Sequence, residues 1–328
     1  MPPSPRKITG PLINAFGPAA LLAGLQLELF SALGDSAMTG EQLAVAMGVK
    51  PRRLLPILNV LVLMGLLRRE GERYANSAEA AHYLVKGKPS YIGVIHELYA
   101  DLYRAVLSTA DSIRTDRPAA EHDFDEMSDE ALAAFFRGLH GLGIVQGREL
   151  ANQHNFHRFE RLVDVGGGSG SMAIGACETC AGLRATVLDL ARVVPIAQRF
   201  ISEAGLEERV TATFCDITAQ PSDLTYDVAI LRSLIQVLSP EQAARAIGNI
   251  GRNMRPGGEI YILGYVLDDT RSAPWEAAAY DVAFINIYQA GRSYTDGEYR
   301  RWLTDGGFDQ IDRKLLANNM SLVTARKP

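Results

Sequence analysis

Apolar residues change their spacing about half-way along this chain of 328 residues. Up to about residue 110 they recur at helical intervals. An apolar stretch over 11–33 gives way to Thr39-Gly40-Glu41-Gln42, where Thr39 can cap a helix and Gln42 can close the box from its third position. A turn at Gly48, a helix opened by Pro51 and a run from Leu54 to Leu67 follow, and Arg68 to Tyr74 reads as a hairpin about Gly71. Helix, turn, helix and hairpin predict a winged helix. The polar, acidic segment 118–126 predicts a loop, and Asp129 to Leu150 predicts a long helix linking two halves. From Arg161 onward, strands near 161–165, 184–188, 209–214, 226–231 and 258–265 alternate with helical runs, the spacing of a doubly wound parallel sheet. The last two runs, 308–315 and 320–326, are separated only by Ala317-Asn318-Asn319 and predict an antiparallel hairpin.

The first of those strands breaks into glycines: Leu162-Val163-Asp164-Val165-Gly166-Gly167-Gly168-Ser169-Gly170. With no side chain at Gly166, Gly168 or Gly170, the backbone can pass close beneath a nucleotide-like ligand. Asp189, about 20 residues later at the end of the next strand, suits a ribose diol. A dinucleotide fingerprint would put Gly or Ala where Ser171 stands. Here the third glycine comes one residue early, at Gly170. That shorter loop beside Asp164 fits S-adenosylmethionine (SAM), which has no pyrophosphate and whose methionine ammonium an acidic residue can face. Asp216 supplies a further acidic strand end.

Composition removes several alternatives. With 47% hydrophobic and 22% charged residues and a net charge of −5, no global basic field points to nucleic acid. Residues 1–110 hold 11 Lys/Arg against 8 Asp/Glu, a surplus of +3, and the helix that would read DNA is apolar from Leu54 onward behind Lys50, Arg52 and Arg53. An apolar winged helix is better explained as an interface with a second subunit. The stretch 11–34 carries Pro18, Gln26 and Glu28 and no cleavage pattern follows it, so neither a membrane span nor export is expected, and the expected location is cytoplasmic. Cys177 and Cys180 form a C-x-x-C without a second ligand pair, and with Cys215 they read as small apolar residues of a reduced protein. His82, His96, His122, His154 and His157 have no metal-ligand spacing, and no metal is expected.

Together with Leu25-Gln26-Leu27-Glu28-Leu29-Phe30, Cys215-Asp216, Asp227-Val228-Ala229-Ile230-Leu231-Arg232, Arg255-Pro256-Gly257-Gly258 and Leu303-Thr304-Asp305-Gly306-Gly307-Phe308, these segments resemble the SAM-dependent small-molecule O-methyltransferases over nearly the whole chain. The resemblance implies an α/β protein with three parts. An all-α winged-helix dimerisation domain would occupy 1–110, and linking helices at 111–157 would contribute to the substrate pocket. A Rossmann-like class I methyltransferase domain with a seven-stranded sheet would occupy 158–328. It also implies a homodimer acting on a small molecule, with neither nucleic acid nor membrane as partner. By the resemblance Gly166, Gly168 and Gly170 approach the methionine half of SAM, Asp189 binds the ribose hydroxyls, Asp216 lies beside the adenine and Arg232 sits near the cofactor carboxylate.

The chain departs from the family at the catalytic residues. Members carry a His after the fourth strand, in a pattern like L-R-x-x-L-H-D-W, to take the proton from a substrate hydroxyl. This chain reads Leu231-Arg232-Ser233-Leu234-Ile235-Gln236, and an amide has no useful pKa for that task. Two glutamates that normally support the His are replaced by Gly264 and Ser293. Three losses together imply that the chemistry has changed or that no base is required. Gln236, His140 and Tyr294 are the candidate catalytic residues, and Phe136, His140, Trp275, Tyr280, Phe284 and Tyr288 are the candidates to line a substrate pocket. Tyr280, Phe284 and Tyr288 share a helix face at i,i+4.

Three functions are compatible with these features. The leading one is methyl transfer from SAM to oxygen or carbon of an aromatic or polyketide-like small molecule. The second keeps SAM unreacted in a cyclisation, decarboxylation or hydroxylation, and the third is a ligand sensor using the winged helix on DNA.

Overall fold

The computed structural model describes residues 4–124, 126–317 and 319–328. Asp125 in the acidic loop and Asn318 in the last turn lie outside the described residues. The chain forms two compact units, one ending at Ala100 and the other beginning at Asp101.

In the first unit, α1 (Arg6–Asn14), α2 (Phe16–Gln26) and α3 (Leu29–Leu33) precede β1 (Met38–Thr39), α4 (Gly40–Ala46) and α5 (Pro51–Leu63). Thr39 and Gln42 form the expected reciprocal cap of α4, and Pro51 opens α5, where its missing N–H costs nothing. The hairpin of β2 (Leu67–Glu70) and β3 (Arg73–Asn76) pairs Glu70 with Arg73 and is followed by α6 (Ala78–Tyr83). β1 adds antiparallel to β3, which completes the winged helix. Leu29, Phe30, Leu43, Leu58 and Leu61 form its buried core. Arg6–Gln26, the 21 residues from α1 through α2, is by length and composition enough to cross a membrane, and only 11% of its apolar 18-residue window is buried within the chain. Ile8, Leu12, Ile13 and Phe16 stand exposed along it.

The second unit opens within α7 (Ile95–Val106) and continues through α8 (Thr109–Thr115) to the long helix α9 (Asp129–Gln153), whose start is capped by Ser128. A Rossmann-like αβ succession follows: β4 (Arg161–Val165), α10 (Ser171–Thr179), β5 (Arg184–Asp189), α11 (Val194–Glu203), β6 (Val210–Phe214), β7 (Tyr226–Arg232), α12 (Pro240–Asn253), β8 (Met254–Gly264), α13 (Trp275–Ile287), α14 (Asp296–Asp305), β9 (Asp309–Leu315) and β10 (Ser321–Arg326). The seven strands lie in the order β6-β5-β4-β7-β8-β10-β9. The first five are parallel, and the terminal hairpin enters antiparallel through β10. Apolar residues fill both faces, as a two-sided parallel sheet requires.

This order positions the site. Successive strands leave β4 in opposite directions, toward β5 and β6 on one side and β7 and β8 on the other, so a crevice opens beyond the carboxyl ends of β4 and β7. Asp164, Asp189, Arg232 and Gly264 all stand at or beside such strand ends. α9 packs closely on α10, because Gly175 carries no side chain: a Cβ there would meet the Ile144 carbonyl and come within 3.0 Å of the Arg148 nitrogen.

Candidate active site

The chain leaves β4 through Gly166 and Gly168, both at positive φ, and Gly170 at φ +70° starts α10. At φ +58°, Gly168 adopts a conformation that side chains disfavour, and a Cβ there would lie 2.5 Å from the ring of Phe136. Asp164, fully buried behind this loop, accepts a hydrogen bond from Ala173 N at 3.1 Å in the first turn of α10. Its other oxygen, Oδ1, is buried without a partner. Burial raises its pKa to about 7, with Asp189 pushing the same way and Arg232 and the Ala173 N–H opposing.

Asp189 is aimed by two backbone donors, Gly168 N to Oδ2 and Leu190 N to Oδ1, each at 2.7 Å. Burial nevertheless raises it to about 6. Asp216 follows β6 and accepts from Thr218 N and Oγ1 at 2.9 and 2.7 Å. At the end of β7, Arg232 donates from Nε to Gln146 Oε1 of α9 at 2.5 Å. The seven residues assigned to the cofactor thus converge on the carboxyl ends of β4 to β7. A groove of about 420 Å³ between Arg161, Arg184 and Arg209 opens at the opposite ends of the strands, away from this chemistry.

Beside the glycine loop runs a train of aromatic rings. Phe136 contacts Phe124 and Phe135 at centroid distances of 6.2 and 5.3 Å, and Phe124 lies 6.5 Å from Tyr288. Along α13 the train continues from Tyr288 to Phe284 at 5.8 Å, to Tyr280 at 5.9 Å, and to Tyr265, which stacks on Tyr280 at 3.7 Å. Most of these rings are only half-buried. Gln236 sits next to them on a turn after β7. Its Oε1 accepts from Tyr265 N at 3.2 Å and would lie 3.0 Å from a Cβ at Gly264, while its backbone carbonyl is packed against Gly291, next to Tyr288.

Other expected site residues fall elsewhere. Trp275 does not join this train; it opens α13 at the surface, 77% exposed. Tyr294 is a core residue, with its hydroxyl donating to the Leu238 carbonyl and its ring edge-on to Trp302 at 4.9 Å. Burial pushes it up to about 12, away from any role as a proton acceptor near neutrality. Ser293 is also fully buried, and its Oγ donates to the Ala277 carbonyl at 2.9 Å. His140 joins the glycine loop instead of the aromatic train: Nδ1 is 2.9 Å from Ser169 Oγ and the ring stacks on Phe200 at 4.1 Å. Burial lowers it to about 4, so it is neutral at pH 7. Among the described residues, no cluster of three or more His, Cys, Asp or Glu is arranged to hold a metal.

Residues 104–309 match the family model of the O-methyltransferase domain. The chain belongs to the O-methyltransferase family. Residues 12–86 of this O-methyltransferase match the model of the family's dimerisation domain. The 3-hydroxy-5-methyl-1-naphthoate 3-O-methyltransferase of Streptomyces sahachiroi is 29% identical over 89% of this chain and 86% of its own length. A tetracenomycin polyketide synthesis 8-O-methyl transferase of Streptomyces glaucescens is 28% identical over 95% and 94%. Human N-acetylserotonin methyltransferase, solved in complex with SAM, superposes with a TM-score of 0.82 at 22% identity over 99% and 98% of the two chains, a likeness of fold. The protein is a SAM-dependent methyltransferase of small molecules.

The residues present suit that cofactor. Asp164 Oδ1 lacks a partner that an ammonium would supply, and Gly166, Gly168 and Gly170 all hold the positive φ that lets the loop turn tightly beside it. The dimerisation-domain match supports a homodimer, which gives the exposed apolar side chains of α1 and α2 something to bury against. Light scattering at micromolar concentration is expected to give twice the 35.7 kDa chain mass, and a monomer would contradict this.

Proposed function

We propose that this methyltransferase acts on a hydroxylated aromatic, polyketide-like molecule, and that Gln236 holds the acceptor without acting as its base. The observation that carries the reading is the aromatic train between the glycine loop and Gln236, a half-buried surface suited to a flat, multi-ring acceptor. The naphthoate and tetracenomycin activities of the two Streptomyces relatives support the same substrate class.

SAM supplies a methyl group already activated on a sulfonium sulfur. Asp164 would meet its ammonium, Arg232 its carboxylate, Asp189 the ribose hydroxyls and Asp216 the adenine. Two backbone N–H groups already fix the Asp189 carboxylate, so its aim need not be organised on binding. With Oε1 of Gln236 committed to Tyr265 N, the amide NH₂ is left to face an acceptor oxygen. A donor there stabilises a phenolate but takes no proton from a phenol. Orientation then provides much of the rate, as in other in-line displacements between held reactants.

The test is methyl transfer from isotopically labelled SAM to a panel of hydroxynaphthoates. Label in the acceptor, with one S-adenosylhomocysteine formed per product, is the expected result. Product formed while SAM remains intact would overturn the reading in favour of a non-methylating reaction.

A further inference from the structure

One histidine in the second unit is built differently from the rest. His122 lies in the loop between α8 and α9, and its Nε2 is 2.8 Å from Asp101 Oδ2 of α7. Its side chain is only 8% exposed. Across the ring, Nδ1 is buried and has no partner. The ring forms part of the aromatic train, edge-on to Phe135 at 5.5 Å and to Tyr288 at 6.3 Å. A buried imidazole with one nitrogen on a carboxylate and the other unmet is costly unless something else engages it.

The loop is also held in place. Ala120 N and His122 N donate to the carbonyls of Asn286 and Ile287 at the end of α13, at 3.0 and 2.7 Å. The buried Asn286 side chain in turn bonds Ser112 Oγ at 2.7 Å and Thr109 Oγ1 at 2.9 Å on α8. His122 is therefore fixed relative to Phe284 and Tyr288, two of the residues assigned to the acceptor.

We propose that the His122–Asp101 pair is the general base of this enzyme, accepting the acceptor's hydroxyl proton at Nδ1 where Gln236 cannot. The inference rests on the methyl-transfer reading above. With Nε2 donating to Asp101 Oδ2, the ring is held in the tautomer that leaves the Nδ1 lone pair free. In the step itself the O–H bond breaks and its proton passes to Nδ1. The oxygen's electron pair forms the bond to the methyl carbon, and the carbon–sulfur bond breaks with its pair remaining on sulfur. The imidazolium then returns its proton to water. No other imidazole among the described residues joins this train, since His140 is engaged with Ser169.

Two measurements test the pair. In protein labelled with ¹⁵N-histidine, the signals lost in His122→Gln are those of residue 122. Their shifts in the unaltered protein at mildly alkaline pH are expected to show Nε2 protonated and Nδ1 bare. A proton on Nδ1 would overturn the proposal without any turnover being needed. In the second measurement, 2-naphthol, a weakly acidic acceptor, is compared with 4-nitrophenol, which is largely ionised under the same conditions. His122→Gln keeps an amide that can reach Asp101 but has no basic nitrogen. It is expected to lower kcat on 2-naphthol about 10²–10⁴-fold and kcat on 4-nitrophenol by less than about tenfold, with SAM affinity and melting temperature near those of the unaltered protein and any rise in KM from the lost ring shared by both acceptors. Near-normal turnover of 2-naphthol, or equal losses on both acceptors, would identify a structural histidine and reject the proposal. Absence of transfer by the unaltered chain would count against the methyl-transfer reading instead, and the nitrogen shifts separate the two failures.

Discussion

Asp164→Asn is expected to make the unliganded protein more stable in mild alkali while weakening its hold on SAM. Burial raises this carboxyl from 3.8 to about 7. A group whose folded pKa lies above its unfolded one binds more protons when folded, so its contribution to stability is fully present in acid and is lost as pH rises through about 7. The rise corresponds to at most about 4 kcal/mol. Asparagine keeps the acceptor for Ala173 N but never ionises, and its new NH₂ lies where Oδ1 has no partner. Roughly half of that maximum, about 2 kcal/mol, is therefore the expected gain, or about 4–8 °C in Tm. The gain should shrink steadily as pH falls below about 7 and vanish only near the unfolded value of 3.8. SAM affinity should fall about 30-fold, equivalent to about 2 kcal/mol, the scale of a lost charge-assisted hydrogen bond. Thermal melts at two pH values and calorimetry with SAM check both halves. Unchanged melting in alkali, or unchanged affinity, would contradict the proposed role of Asp164.

Gly175→Ala is expected to cost about 2–4 kcal/mol, although in an open helix the same change would add about 1 kcal/mol. The sign reverses because the new methyl meets the Ile144 carbonyl and the Arg148 backbone nitrogen, and a helix backbone cannot swing aside as a side chain can. Relief requires α9 to move away from α10. Since α9 carries Phe136, His140 and Gln146, all packed on or near the glycine loop and Arg232, SAM affinity should fall together with stability. Chemical denaturation and calorimetry read the two effects, and a variant as stable as the parent would show that the helices can separate at no cost.

Much of the second unit was legible in the sequence because its information is local and periodic. Parallel strands buried on both faces announce themselves as short apolar runs, and the runs at 161–165 and 184–188 fall within one residue of β4 and β5. β8 begins at Met254, four residues before its apolar run, because Arg255, Pro256 and Gly257 hide the start of the strand. Once the strand order was implied, Asp164, Asp189, Asp216 and Arg232 had to gather at one edge of the sheet. The i,i+4 spacing likewise gave the shared face of Tyr280, Phe284 and Tyr288.

What remained hidden depends on tertiary pairing. Nothing near Tyr294 in sequence indicates that its hydroxyl turns inward to the Leu238 carbonyl, 56 residues away. The sequence offers Trp275 as a pocket-lining candidate, yet the first position of α13 faces outward. His122, set aside for want of metal-ligand spacing, acquires its meaning only when Asp101, 21 residues earlier, comes within 2.8 Å. Neither side chain carries a local signature for that contact.

The backbone bonds from Ala120 and His122 to the end of α13 also fix which parts of the site can move independently. They join the imidazole and the α13 rings into one body, while the glycine loop belongs to the turn between β4 and α10. α9 goes with that turn, since Phe136 rests on Gly168 and His140 meets Ser169, so if the site opens to admit a multi-ring acceptor the seam lies where the rings of α9 meet those of the His122 loop and α13. An acceptor seated against α13 would then meet His122 at a constant separation before and after closure. Only its distance to the methyl donor would change, so the base would already stand in place when the two reactants come together.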